Sequence, residues 1–371
     1  LKNYWPNTPI LSTLNLEGAE MISVEDLTIS AIQDRLRSID RKQGAGEVLR
    51  RLSENQNQSI AIFCHDNPDP DALASAMAMK HICENLGHEA QIVHGGMIEH
   101  QQNRAMVNLL ELEPRRLILD WEVEDLLKQV DIVICVDFSH PGANNVLPEN
   151  CVPHIVIDHH TSEIRPAGDV ILVRSEFAAT SSLVASILMN SKIEMEKSVA
   201  TALAFGIRTD TLGFTRSFNA VDLRALSWLG AWIDWDLMRR FETPPRSQEV
   251  LDIFKQALTN ASLEGGLMLA PIGEMVDRDA IAQVADFLLP TEGVDTVITF
   301  GIRRSKVILS ARTTKEGLHI GKELSQLFPK GRAGGHKSLA GGQIPFEDIK
   351  CLNAEEALEQ IELILRDNFG G

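Results

Sequence analysis

From Ser59 onward the chain alternates short apolar runs with segments of helical spacing. IAIFC (60–64) precedes a helix over Asp71–Asn85, and AQIVH (90–94) precedes one near Gln101–Leu112. DIVICV (131–136) and HIVIDHH (154–160) come next, followed by helices near Ser181–Asn190 and Lys197–Gly206. Because the runs are apolar at consecutive positions, the strands are buried on both faces, which predicts a parallel sheet covered by helices. Thr243-Pro244-Pro245 suits a linker, and a second unit begins near Ala257. In it GLMLAPI (266–272), TVITFGI (296–302) and KVILSARTT (306–314) read as strands, with helices at 278–288, 319–328 and 354–367. The expected organisation is an N-terminal helical extension (1–58), a Rossmann-like parallel-sheet α/β domain (59–235), a linker (236–256) and a smaller α/β domain (257–371), with the active site in the cleft between the two domains.

Composition narrows the function classes. The 371 residues are 44% hydrophobic and 23% charged, as in an average globular protein. No apolar run approaches the ~20 residues of a membrane helix, and the first twenty residues lack the basic-then-apolar plan of a secretory leader. Cys64, Cys83, Cys135, Cys151 and Cys351 form no CxxC pair and are odd in number. They read as reduced thiols of a cytoplasmic protein rather than a disulfide framework or zinc knuckle. The net charge of −17 lacks the basic stripe expected of a protein that tracks along duplex nucleic acid. A small anionic substrate drawn in by metal ions remains compatible.

Three of the expected strands run into metal-ligand residues. IAIFC leads to His65, Asp69 and Asp71; IVICV leads to Asp137; HIVI leads to Asp158, His159 and His160. GIRTDTLGF places Asp210 just after a helix. Carboxylates crowded in this way repel one another unless a cation lies among them. Asp69 alone could be a helix cap, since Pro70 suits the first helical position. Taken together, however, His65, Asp69, Asp71, Asp137, His159 and Asp210 would form one pocket if the strands are neighbours. Oxygen-rich donors with a minority of imidazole suit Mn²⁺ or Mg²⁺, and six donors exceed what one open ion needs, so two bridged ions fit better.

The constellation resembles the DHH phosphoesterase family, named for the triplet that stands here as Asp158-His159-His160. HDNPDPD (65–71), VDFSHPG (136–142) and GIRTDTLGF (206–214) resemble further motifs of that family, and GRAGGHKSLAGG (331–342) resembles the glycine-rich signature of its associated C-terminal domain. The resemblance implies two Mn²⁺ ions, with Mg²⁺ or Co²⁺ as substitutes. One would be held by His65, Asp69 and Asp137, the other by Asp71, Asp137, His159 and Asp210. Asp137 is then the bridge, Asp158 orients an imidazole, and His160 faces the scissile phosphate. Hydroxide generated between the ions would attack phosphorus in line. His81, His88, His94, His100, His140 and His154 have no ligand spacing and read as surface or packing residues, His94 and His140 being nearest the site. Arg208 departs from the familiar motif and reads as a salt-bridge partner ahead of a phosphate contact.

In the second domain Gly334, Gly335, Gly341 and Gly342 suggest a loop that lets backbone N–H groups approach an anion. His336 and Arg312 can hold a terminal phosphate or a base edge. A substrate gripped at both ends is short, so the expected activity is hydrolysis of short oligoribonucleotides or dinucleotides to nucleoside 5′-monophosphates, as in a nano-RNase. The alternatives are a 3′-phosphoadenosine 5′-phosphate phosphatase and a cyclic-dinucleotide phosphodiesterase; a single-strand exonuclease or a non-catalytic nucleotide sensor stands behind these. The expected partner is a short RNA or dinucleotide substrate, with neither duplex nucleic acid nor membrane, and a homodimer is left open.

Overall fold

The computed structural model describes residue 40 and residues 42–369, except 99, 143, 163, 217, 246 and 276–278. These residues fall into two compact units: those up to Ile98 together with Met106–Arg239, and those from Arg240 onward together with the stretch ending at Ala105.

The first unit opens with helix α1 (42–53) and builds a sheet from β1 (Ser59–Phe63), β2 (Glu89–His94), β3 (Arg115–Arg116), β4 (Ile132–Val136), β5 (Ile155–Asp158) and β6 (Val170–Val173). The order is β3-β2-β1-β4-β5-β6, and every pairing is parallel. Parallel strands need long crossovers, supplied in part by α2 (Pro70–Asn85), α3 (Gln101–Leu109) and α4 (Asp120–Gln129); α5 (Thr180–Met189), α6 (Lys197–Asp210), α7 (Ala220–Leu229) and α8 (Trp235–Glu242) follow the sheet. Ile132–Val136 and Ile155–Asp158 are buried at every position, as strands covered on both faces must be. The chain runs outward from β1 to β2 and β3, then returns to place β4 on the other side of β1. That reversal opens a crevice at the carboxyl ends of β1 and β4.

The second unit contains α9 (Gln248–Asn260), β7 (Ser262–Glu264), β8 (Leu267–Glu274), α10 (Asp279–Leu288), β9 (Thr296–Arg303), β10 (Lys306–Thr313), α11 (Ile320–Leu327), β11 (Ala333–Gly335), β12 (Leu339–Pro345) and α12 (Ala354–Phe369). Its sheet has the order β11-β12-β10-β9-β8-β7, parallel only between β8 and β9. Alternate residues feed two cores. Leu267, Leu269, Ile298 and Phe300 meet Leu324 and Ile361 on one side, and Met268, Ala270 and Val297 meet Phe254 and Val284 on the other.

Four expectations change. Residues 236–256 are not an extended linker: they hold α8 and most of α9, interrupted around Pro244-Pro245. Val250, Ile253, Phe254 and Ala257 recur at helical spacing and pack under the second sheet, so the second unit starts well before Ala257. The extension read over 1–58 lies outside the described residues up to 39. Its last part, α1, is integral to the first unit: Ala45, Val48 and Leu52 are wholly buried, and Arg174 pairs with Asp40 at 3.1 Å. Asp210 is the last residue of α6 rather than a residue beyond it. The glycine segment near 334–342 is not a loop but a β-hairpin, with Gly334 opposite Gly341 and Gly335 opposite Ala340.

Candidate metal centre

The crevice at the switch between β1 and β4 collects the acids and imidazoles. His65 follows β1, Asp137 follows β4, Asp158 ends β5, and His159 and His160 follow it directly. Asp69 caps α2, accepting the N–H groups of Asp71 and Ala72 at 3.0 Å each. Pro70 at the first helical position lacks the N–H that would otherwise go unpaired there. Asp71 in the first turn of α2 and Asp210 in the last residue of α6 complete the set.

Donor atoms of His65, Asp69 and Asp137 lie within 4.8 Å of one another, as do those of Asp71, His159 and Asp210 and those of Asp137, His159 and His160. The two sets read from the motifs meet at Asp137. Its Oδ2 lies 3.5 Å from His65 Nε2, and its Oδ1 lies 3.7 Å from His159 Nε2. His159 Nε2 also lies 3.3 Å from Asp210 Oδ2. His160 is the poorer donor of its set: its Nδ1 is taken by Asp158 Oδ1 at 2.9 Å, and its side chain is 60% exposed. Asp158 thus orients His160, accepting its backbone N–H as well at 3.1 Å.

Burial and mutual proximity act together on these carboxylates. Burial raises the Asp71 carboxyl, and the charge of Asp69 adds to this against the pull of His159. Burial, then Asp71 and Asp69, push Asp137 well above the usual carboxylate range. Asp210 is raised to about 9 by burial and then by Asp71, Asp69 and Asp137. His160 rises to about 9, chiefly through its hydrogen bond to Asp158. Burial alone would raise Asp158, but its hydrogen bonds to His160 and the charge of that ring outweigh burial and hold it low.

The donor set fits divalent cations. It is carboxylate-rich with two imidazoles and no thiolate, the preference of Mn²⁺ or Mg²⁺. His159 Nε2 is buried without a hydrogen-bond partner, an arrangement that costs free energy unless the lone pair is given a ligand. Asp137 sits at φ +65, a left-handed backbone uncommon outside glycine that costs of order 1–3 kcal/mol and clusters at functional sites.

Motif reading passed over three residues that shape this cluster. The N–H groups of Thr180 and Ser181 donate to the two oxygens of Asp71 at 2.7 Å each, and the Thr180 hydroxyl donates to Asp137 Oδ1 at 2.8 Å. A Cβ on Gly206 would lie 2.3 Å from Ser181 Oγ and 3.1 Å from Asp71 Cα, so glycine is what lets α6 close on the site. The visible signal was the TSS run ahead of an apolar helix, which reads only as a helix start. Three further histidines pack structurally: His81 Nε2 meets Glu194 O at 2.8 Å, His88 Nε2 meets Leu52 O at 2.6 Å, and Val133 N–H donates to His154 Nδ1 at 3.0 Å. Burial, then Arg116 and His65, lower His94 to about 4.

The second-unit residues gather at one end of its sheet. Arg312 on β10 is directly paired with Leu339 on β12, and the His336 N–H donates to Leu339 O at 2.8 Å. Arg312 Nε is held by Asp286 of α10 and its Nη1 by Ser310 Oγ and Ala311 O. His336 is exposed, and its carbonyl accepts the Gly321 N–H at the start of α11 at 3.0 Å.

Residues 59–207 match the model of the DHH family, N-terminal domain, and residues 264–367 match that of the DHHA1 domain. An uncharacterized protein of Methanocaldococcus jannaschii is 36% identical over 317 residues, 84% of this chain and 63% of that protein. A cyclic-di-AMP phosphodiesterase of Listeria monocytogenes is 26% identical over 325 residues, 82% of this chain and 47% of that one. The chain therefore spans less than two thirds of the first relative and about half of the second. Among solved structures, an exopolyphosphatase-related protein from Bacteroides fragilis shares the fold, with a TM-score of 0.67 at 18% identity, covering 88% of this chain and 96% of its own.

Proposed function

The chain belongs to the DHH phosphoesterase family, and from that premise we propose that it is a divalent-metal-dependent phosphodiesterase that releases nucleoside 5′-monophosphates from dinucleotides and short oligoribonucleotides. The observation that carries this reading is the pair of ligand groups, His65–Asp69–Asp137 and Asp71–His159–Asp210, at one sheet switch point. The first group and the second, with Asp137 between them, would hold two cations, Mn²⁺ being the best match to these donors. When bound, such ions supply Lewis acidity toward phosphoryl oxygens and an activated water. The remaining work falls to the chain. Asp158 holds the His160 ring by its Nδ1, leaving Nε2 to donate to a phosphate oxygen or to the leaving oxygen. The hydrogen bond to Asp158 favours the protonated ring, the form that can donate at both nitrogens. Arg312 and His336 would hold the distal nucleotide.

A cyclic dinucleotide is the second reading, favoured by the named activity of the Listeria relative. One assay addresses both: purified protein with Mn²⁺ is given a linear diadenylate, cyclic-di-AMP and bis(p-nitrophenyl) phosphate, with nucleotide products followed by chromatography and p-nitrophenolate by absorbance. The expected result is turnover of the linear dinucleotide that chelator abolishes. Preferred cleavage of the cyclic form would favour the second reading, and no metal-dependent hydrolysis of any of the three would overturn both.

A further inference from the structure

Asp137 offers its oxygens in two directions, Oδ2 toward His65 and Oδ1 toward His159. That division depends on rotation about the bond to the carboxylate, a torsion that is soft by itself. The Thr180 hydroxyl removes the freedom. It is wholly buried at the first residue of α5 and donates to Oδ1 at 2.8 Å. The same residue's N–H and that of Ser181 grip the two oxygens of Asp71. Thr180 therefore contacts one acid of each group.

We propose that Thr180 is a positioning residue of the metal centre: its hydroxyl sets the plane of Asp137 so that each oxygen serves one ion, and its N–H fixes Asp71 relative to that plane. This rests on the two-cation reading above. The segment ahead of Thr180 is itself anchored. The Ala178 N–H donates to the buried carboxylate of Asp222 at 3.0 Å, and Asn219 Nδ2 donates to Glu176 O at 2.7 Å. The α7 N-terminus therefore supports the donor without touching the ligands. Groups that orient metal ligands in this way change affinity by ~10–100-fold when removed.

Thr180→Val deletes the hydroxyl at nearly constant shape, and Thr180→Ser keeps it. The test is a titration of purified protein with Mn²⁺, read by the electron paramagnetic resonance signal of free ion, with melting temperature in chelator as the control for folding. Thr180→Val is expected to bind Mn²⁺ ~10–100-fold more weakly while still unfolding cooperatively in chelator at a somewhat lower temperature, as loss of one buried hydrogen-bond donor requires, and Thr180→Ser should titrate close to wild type. Wild-type affinity in Thr180→Val would overturn the inference. So would a Thr180→Ser protein that has lost binding, an outcome readable even if the valine variant does not fold. Absence of Mn²⁺ binding by the wild type would instead sink the two-cation reading, and this inference with it.

Discussion

The cluster at the β1/β4 switch and the hairpin end of the second sheet solve opposite problems. In the first, Asp71 and Asp137 are withdrawn from water and raised in pKa by burial and by the neighbouring carboxylates, Asp69 for the one and Asp71 and Asp69 for the other. Backbone N–H groups and a hydroxyl hold them in place against that repulsion. In the second, His336 is exposed and Arg312 is paired with an exposed partner, Asp286, a kind of contact worth ~0–1 kcal/mol. The first region sacrifices stability for a site that a cation completes, and the second presents groups that are stable without a ligand. Substitutions should therefore act on chemistry with little loss of fold in the first, and on substrate retention in the second.

The largest effect is expected at the bridge. Asp137→Asn should lower metal-dependent turnover by several orders of magnitude and reduce the Mn²⁺ bound per chain. The metal-free protein should melt no lower than wild type, because a repelling buried charge has been removed. Near-normal turnover would take Asp137 out of the mechanism, and a large fall in melting temperature would refute the contrast between the two regions.

Next in size is the pH dependence of stability. The folded-state pKa values of Asp210 and His160 are both raised to about 9. Each group therefore binds its proton more tightly in the folded chain than in the unfolded one, and each contributes stability at low pH that is lost as pH rises toward 9. The window runs upward from pH ~4 for Asp210 and ~6.5 for His160. In chelator, denaturant midpoints should fall between pH 6 and 8.5. Saturating Mn²⁺ should raise the midpoint most at the alkaline end, where binding displaces fewer protons. A flat profile in chelator would mean that the acids are not coupled as their packing implies.

A smaller effect is expected from Arg312→Ala. Loss of a charge-assisted contact worth ~1.5–3 kcal/mol should raise KM for the dinucleotide by roughly 10–100-fold. Hydrolysis of bis(p-nitrophenyl) phosphate, which needs only the first region, should change little. Equal losses on both substrates would place Arg312 in the chemical step or in the fold.

The smallest effect belongs to Gly334→Ala. A Cβ there meets nothing closer than 3.9 Å, whereas one on Gly335, at φ +155, would lie 2.5 Å from Leu339 O. Thermal melts should show Gly335→Ala destabilised and Gly334→Ala close to wild type. Similar losses in both would argue that the hairpin is not built as described.

Much of this was legible along the chain. Consecutive apolar positions such as IVICV have only one comfortable home, a strand buried on both faces, and a helix and sheet period persists wherever side chains meet a core. The acids and imidazoles stood out because strand ends and a helix cap are local features, visible in HDNPDPD and IDHH without knowledge of what lies beside them. Amphipathic α9 was hidden by its neighbouring prolines, and the hairpin of β11 and β12 by glycines, which carry no side-chain pattern to read. Sequence by itself thus determined the strand and helix segments that carry the candidate ligands, and singled out those residues. Only the tertiary structure decided that β4 returns beside β1, which brings Asp137 between His65 and His159, and that Thr180, 43 residues further along the chain, locks it there. Both depend on contacts between distant segments, whose energies come from burial and geometry that no local period encodes.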